Sequence, residues 1–286
     1  MKVINYEGVG NFLRENESIL LEKESVSQLI LFNAMNNINS ETNGSLFFGK
    51  VADDNQDPLL IFANVQPYNL LIHWINGYVK SEAVAMLADY ILQNNLEING
   101  LNANKEICGY FTEHYKTLKP QCEFKERLAM DIMELKSLSA VKLVEGISRK
   151  AKEIEAGQIA RWMVEFAKEA LEEDIVYEDQ IQKAAKMIET DRLYVFENPE
   201  GRLVSMAAAS RQLINGICVN YVYTPSEFRS KGYAAANMYH LSKEMLEKGN
   251  QFCTLFVDKK NPISNSVYKK IGYRIIEDQY DLRLIR

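Results

Sequence analysis

The chain is poor in the residues that most small catalytic or metal sites depend on. It has three histidines and four cysteines in 286 residues. Cys108, Cys122, Cys218 and Cys253 are scattered, with no C-x-x-C pair. That spacing argues against a zinc knuckle or a disulfide framework and favours reduced, buried thiols. His73, His114 and His240 have no nucleophile motif near them, so a Ser/His/Asp triad is not expected. There is no apolar run of membrane-spanning length. The first residues, Met1-Lys2-Val3-Ile4-Asn5, lack the apolar core of a secretory signal, and a cytoplasmic location is expected. Positive charge is also short. The net charge is −6, which disfavours nucleic acid as the main partner. A monomer and a homodimer are equally compatible with these features.

What is present is a large apolar fraction, 47%, beside 25% charged residues, enough for a buried core. The length suits two domains of moderate size. Residues 1–45 read as helical. Strands are expected at 45–52, 58–65, 70–75 and 98–101, then at 122–138. Helices are expected at 81–94, capped by Ser81, and at 104–118, stopped by Pro120. The second half opens with a strand at 141–148 and helices at 152–170 and 178–190. Strands follow at 193–197, 203–210 and 217–224, with Asn215-Gly216 marking a hairpin. A helix at 231–248, a strand at 252–257, a helix at 262–271 and a last strand complete it. Each half thus runs three strands, helix, strand, helix, strand, as two copies of one architecture do.

The chemistry concentrates in the second half. A β-branched and aromatic strand ends at Thr224-Pro225, and a loop, Arg229-Ser230-Lys231-Gly232-Tyr233-Ala234, opens the next helix. A glycine loop at a helix N-terminus directs main-chain N–H groups and partial positive charge at one point. Arg229 and Lys231 add full charges, and Gly232 permits close approach. This is a candidate site for a pyrophosphate. Further on, Asn261 before Pro262 suits a helix start, and Gly272 suits its end. Asn261, Asn265 and Tyr268 then share one face by i, i+4, i+7 spacing.

The first segment resembles the (Q/R)-x-x-G-x-(G/A) signature of the GNAT (GCN5-related N-acetyltransferase) superfamily. The second resembles that superfamily's N-x-x-(A/S)-x-x-x-Y-x-x-x-G-(F/Y) helix, in the required order. The resemblance covers roughly residues 141–286, and the whole chain is similar to two-domain bacterial GNAT proteins whose first half is a degenerate copy. It implies an α/β (α+β) fold of tandem GNAT-like halves, each a mixed, mostly antiparallel sheet flanked by helices. Residues 1–138 are expected to form a degenerate domain that binds no coenzyme A. Residues 139–286 are expected to bind acetyl-CoA and transfer its acetyl group to a primary amine of a small molecule or peptide, by direct attack in a ternary complex.

By the same resemblance the cofactor meets Val222, Tyr223, Arg229, Ser230, Lys231, Gly232, Tyr233, Ala234, Asn261, Asn265 and Tyr268. Tyr268 is the expected acid for the departing thiolate. The main-chain N–H near Val222 or Tyr223 is the expected oxyanion donor. No carboxylate lies within residues 219–224, where many relatives carry a base, so the base stays unassigned. Asp258 is read either as a water-mediated base or as a turn cap, and Cys253 as core. Trp74 and Trp162 are read as core or as pocket wall. Two alternatives stay open: an acyl-CoA-binding or regulatory protein without turnover, and an amino-acid N-acyltransferase of the glycine N-acyltransferase type.

Overall fold

The structure is a computed structural model that describes residues 1–75 and 77–286. The order of elements repeats once along the chain. The first pass is β1 (Lys2–Asn5), α1 (Val9–Leu21), α2 (Glu24–Asn36), β2 (Leu46–Ala52), β3 (Pro58–Val65), β4 (Leu70–Trp74), α3 (Ser81–Gln93), β5 (Gly100–Ala103), α4 (Lys105–Leu118) and β6 (Glu123–Leu135). The second is β7 (Ile147–Lys150), α5 (Ala156–Phe166), α6 (Tyr177–Glu189), β8 (Leu193–Glu197), β9 (Leu203–Gln212), β10 (Gly216–Tyr223), α7 (Tyr233–Glu247), β11 (Phe252–Asp258), α8 (Pro262–Ile271) and β12 (Arg274–Ile285). A 3₁₀ turn at Glu153–Glu155 leads into α5, and a π turn at Ala167–Leu171 ends it. The repeat is therefore longer than the sequence pattern implies, because it includes a leading strand and two helices in each half.

Contacts divide the chain into two units, residues 1–131 with 277–286, and residues 132–276. The break at 131/132 precedes the expected boundary at 138/139, and the expected division differs in a second way. The last ten residues belong with the first unit, where Tyr280–Arg283 of β12 pair antiparallel with Ala103–Gly100 of β5.

In the first unit the strands run β1-β2-β3-β4-β5-β12. All these pairings are antiparallel except β4 with β5. Alternation explains the two-sided packing. Phe47, Leu60, Phe62 and Ile72 face α3 and α4, while Phe48, Ile61, Ala63 and Leu71 face α1 and α2. Asn104 caps α4 by accepting from the Ile107 N–H at 2.9 Å. Ser81 is instead the first residue of α3, and Lys80 stands at the cap without a side-chain bond. The strand Lys2–Asn5 lies where helix was expected. Its four residues are held by pairing with Gly49–Ala52, a long-range contact that local propensity does not register.

In the second unit the order is β6-β11-β10-β9-β8-β7. Only β10 and β11 are parallel among the pairings of β7 to β11. The Asn215-Gly216 hairpin forms as expected, with Leu213 N–H donating to the Gly216 carbonyl at 2.8 Å. The strand expected at 141–148 begins only at Ile147. Leu143 and Val144 instead both pack against the cluster of Phe196, Val204 and Ala236, so they do not alternate across a ladder. One core, with Met238, Leu241, Leu255 and Ile271, lies under α7 and α8. Another, with Ile159, Trp162, Met163 and Val195, lies under α5 and α6.

Candidate functional site

Strand β10 is irregular in a way that builds a site. It pairs with β11 only over Gly216–Cys218, although β11 continues to Asp258. Its register with β9 slips between Cys218 and Val219 and again between Asn220 and Tyr223. Tyr221 is left-handed, with φ 51°, and the Asn220 side chain accepts from its N–H at 2.7 Å. Such a bulge bends the strand and removes residues from pairing. Tyr221 and Val222 accordingly lie opposite no residue of β9 or β11. Two parallel strands that part in this way leave main-chain groups open to an extended ligand bearing amides.

The loop after β10 continues the site. A 3₁₀ turn, Ser226–Phe228, precedes Arg229, and Gly232 is the cap of α7 with no side-chain bond. Ser230 (φ 62°) and Gly232 (φ 85°) are both left-handed. Among the described residues, no hydrogen-bond partner is found for the N–H groups of residues 230–235; the first such bond in α7 is Ala236 to the Gly232 carbonyl, at 3.0 Å. Free N–H groups gathered at a helix start by left-handed residues form an anion-binding concavity. Glycine at 232 has a further cause. A Cβ there would stand 2.9 Å from Val144 Cγ1, so the space beside Gly232 is taken up by the protein's own packing as well as by its backbone angle.

The charged side chains of the loop are already engaged. Arg229 Nη2 donates to Glu169 Oε2 at 2.5 Å, and its Nε donates to the Thr224 carbonyl at 2.9 Å. Lys231 Nζ donates to the Glu227 carbonyl at 3.1 Å. The donors the loop leaves open are therefore mainly its main-chain N–H groups. Tyr223 is buried, and its hydroxyl lies 3.0 Å from both Glu165 Oε2 and Glu169 Oε1. Burial and those two carboxylates raise its pKa above the usual tyrosine value.

Tyr268 comes from α8. Asn261 caps that helix, accepting from the Ser264 N–H at 3.0 Å, with proline next, as the spacing implies. Gly272 ends it at φ 117°, where a Cβ would meet the Ser137 carbonyl at 2.8 Å. Tyr268 is buried in the same apolar cluster against which Val222 packs, with its ring 5.9 Å from that of Tyr273. Burial raises its pKa, so the hydroxyl stays protonated across the physiological range.

The two asparagines expected beside Tyr268 are used locally. Asn261 serves the cap, and Asn265 Nδ2 donates to the carbonyls of Asp258 and Asn261, each at 2.9 Å. Asp258 accepts from the Lys260 N–H at 2.8 Å, the turn-capping alternative of its two readings. Cys253 is fully buried and its thiol is pushed up to about 12 by burial, which fits a core residue. Trp162 and Trp74 are both buried. Val222 and Tyr223 end β10, and Arg229, Ser230, Lys231, Gly232, Tyr233 and Ala234 follow the 3₁₀ turn into α7.

Glu165 and Glu169 escaped the sequence reading. Their signal was the i, i+4 spacing of two carboxylates, an unfavourable pair on an isolated helix unless something lies between them.

The first unit differs at the matching place. The segment 75–81 has no R-x-x-G-x-(G/A) pattern and includes Asn76, which lies outside the described residues. Strands β4 and β5 also part, after pairing at Leu70 and Leu71. There Val26, Leu29 and Ile30 of α2 line the cleft with His73, Trp74 and Glu277. Helix α3 carries Glu82 in its first turn, which opposes an anion.

A mixed sheet with a central parallel pair that parts beside a helix start with open N–H groups defines a class of fold. Solved structures with that fold include a GCN5-related N-acetyltransferase from Sphaerobacter thermophilus. It is 11% identical, with a TM-score of 0.62 over 99% of this chain and 95% of that one. An acetyltransferase of the GNAT family from Colwellia psychrerythraea is 11% identical, with a TM-score of 0.54 over 99% and 100%. A Drosophila protein is 12% identical, with a TM-score of 0.58 over 97% and 94%. The family model for FR47-like protein matches residues 200–282, which hold both motifs. No curated protein matches the chain. The tandem fold is thus of the GNAT type, and the likeness to the GNAT superfamily read from the two motifs is supported by fold and by family model. No helix among the described residues is long and apolar enough to cross a membrane.

Proposed function

We propose that the second unit binds acetyl-CoA and transfers its acetyl group to a primary amine. The observation that carries this reading is the run of unpartnered N–H groups at residues 230–235, next to the parted strands β10 and β11. The fit to coenzyme A is chemical. The loop offers donors for a pyrophosphate, and the open edge of β10 offers main-chain groups for the amides of the pantetheine arm. The bound thioester supplies an activated acyl group.

The chain's own groups then have three tasks. The N–H groups of Ser230, Lys231, Gly232, Tyr233 and Ala234 hold the phosphates and so fix the reach of the cofactor along β10. The main chain at Val222 and Tyr223 donates to the carbonyl oxygen as negative charge develops there. Tyr268 donates from its hydroxyl to the departing sulfur. Burial makes its phenolate costly, so its contribution is a hydrogen bond, with proton loss coupled to proton replacement. Glu165 and Glu169, at the Tyr223 hydroxyl, are the carboxylates next to the strand that lacks one of its own.

The first unit is proposed to bind no coenzyme A, because apolar side chains of α2 line its cleft and an acidic residue stands in the first turn of α3. Thiol release from acetyl-CoA against a panel of amines and amino acids tests turnover and separates small-amine from amino-acid acceptors. Binding of acetyl-CoA with no thiol release for any acceptor would favour the non-catalytic alternative.

A further inference from the structure

Helix α5 does not stop at Phe166. It passes into the π turn Ala167–Leu171 and stops at Glu172 in a left-handed conformation, φ 54°. π turns insert a residue and re-aim the side chains around them, often at functional sites. Here the turn carries Glu169. One of its oxygens accepts from the Tyr223 hydroxyl at 3.0 Å, and the other accepts from Arg229 Nη2 at 2.5 Å. Arg229 also donates to the Thr224 carbonyl, and its guanidinium lies 5.6 Å from the Tyr223 ring centroid. Tyr223, Thr224, Arg229 and Glu169 therefore close a ring of contacts between the end of β10 and the start of the anion loop.

Glu165 shares only part of this ring. Its Oε2 lies 3.0 Å from the Tyr223 hydroxyl, and its charge pairs with no loop residue. A phenol has one proton and donates to one carboxylate at a time. Whichever carboxylate takes it, Arg229 stays with Glu169. The next loop residue, Ser230, holds a left-handed conformation that is unfavourable for a serine. It is kept there by what fixes its neighbours.

We infer that Glu169 is a positioning residue that holds the anion loop in its binding form, so that the end of α5 sets the protein's affinity for coenzyme A. The inference rests on the cofactor reading given above. Arg229 then acts as a brace within the loop, and the phosphates meet N–H groups. Without the brace, Arg229 and Ser230 sample other conformations, and an incoming anion must reorder them.

The test uses the full chain, with coenzyme A as the probe, by calorimetry. Amide hydrogen exchange over residues 229–236 is read in parallel. Glu169→Ala and Arg229→Ala are each expected to weaken binding about 3–10-fold and to speed loop exchange. The double variant should be no weaker than the weaker single one, because the pair acts as a unit. Glu165→Ala should stay within about twofold of the parent in affinity. Melting temperatures should barely move, since exposed ion pairs contribute little to global stability. Parental affinity and parental loop exchange in Glu169→Ala would overturn the inference, as would tighter binding or losses that multiply in the double variant. A parent that binds no coenzyme A, with faster loop exchange in Glu169→Ala, would refute the cofactor reading and support the bracing role.

Discussion

Replacing Gly232 separates the loop's conformation from the rest of the fold. At φ 85° an alanine pays for a left-handed backbone, about 1–2 kcal/mol. Its Cβ would also meet Val144 Cγ1 at 2.9 Å, a side-chain atom able to shift. The protein has two responses. It keeps the loop and bears the strain, or it relaxes the loop and loses the converging N–H groups. A typical domain has a stability of roughly 5–15 kcal/mol, so Gly232→Ala should fold. In the relaxed case the same 1–2 kcal/mol must be restored on binding. Tenfold in affinity corresponds to about 1.4 kcal/mol, so binding of coenzyme A should weaken roughly 5–30-fold. Gly232→Val, with a branched Cβ, should do more. Gly201 is the control. It has φ 74° in the turn before β9, with nothing nearer than 3.9 Å to an added Cβ. Gly201→Ala should lose similar stability and keep full affinity. Titration calorimetry with thermal melts reads both quantities. A folded Gly232→Ala protein with parental affinity, or an equal loss of affinity in Gly201→Ala, would refute the reasoning.

Tyr268→Phe should lower kcat about 10–100-fold, the worth of a hydrogen bond to a charged group, while melting temperature and cofactor affinity stay near parental; an unchanged kcat with a validated acceptor would remove the role. In the first unit His73 is buried and its pKa falls to about 4, from burial first and Lys23 second. The unfolded chain therefore takes up the proton first as pH falls, and stability contributed by neutral His73 is lost between about pH 6.5 and 4, with a ceiling of about 3 kcal/mol. Urea melts of His73→Gln against the parent should show a flatter pH dependence over that window, and identical slopes would contradict the assignment.

How much of this was legible in the sequence depended on the range of the forces involved. Local signals carried through. Asn215-Gly216 turned the hairpin, and Asn261-Pro262 and Gly272 bounded α8. The shape of the loop at 229–234 was legible because a glycine and a helix start are both local features. What failed was non-local. Lys2–Asn5 is a strand because β2 pairs with it. Residues 143–144 are not a strand, because both side chains pack against one cluster, Phe196, Val204 and Ala236. Ser81 lost its cap position to Lys80, a shift of one residue at a frayed boundary. The slip in β10 leaves no mark in a run of β-formers, yet it frees Val222. The brace at Glu169 joins residues 60 apart in sequence, beyond the reach of any local motif.

The central claim is that one coenzyme A binds, in the second unit, on the loop that Gly232 shapes. Calorimetric titration of the intact chain with coenzyme A tests it most directly. The account predicts one molar equivalent bound, with the heat of binding lost or strongly reduced in Gly232→Val. No binding by the parent, two equivalents per chain, or one equivalent that survives Gly232→Val at full affinity would contradict it.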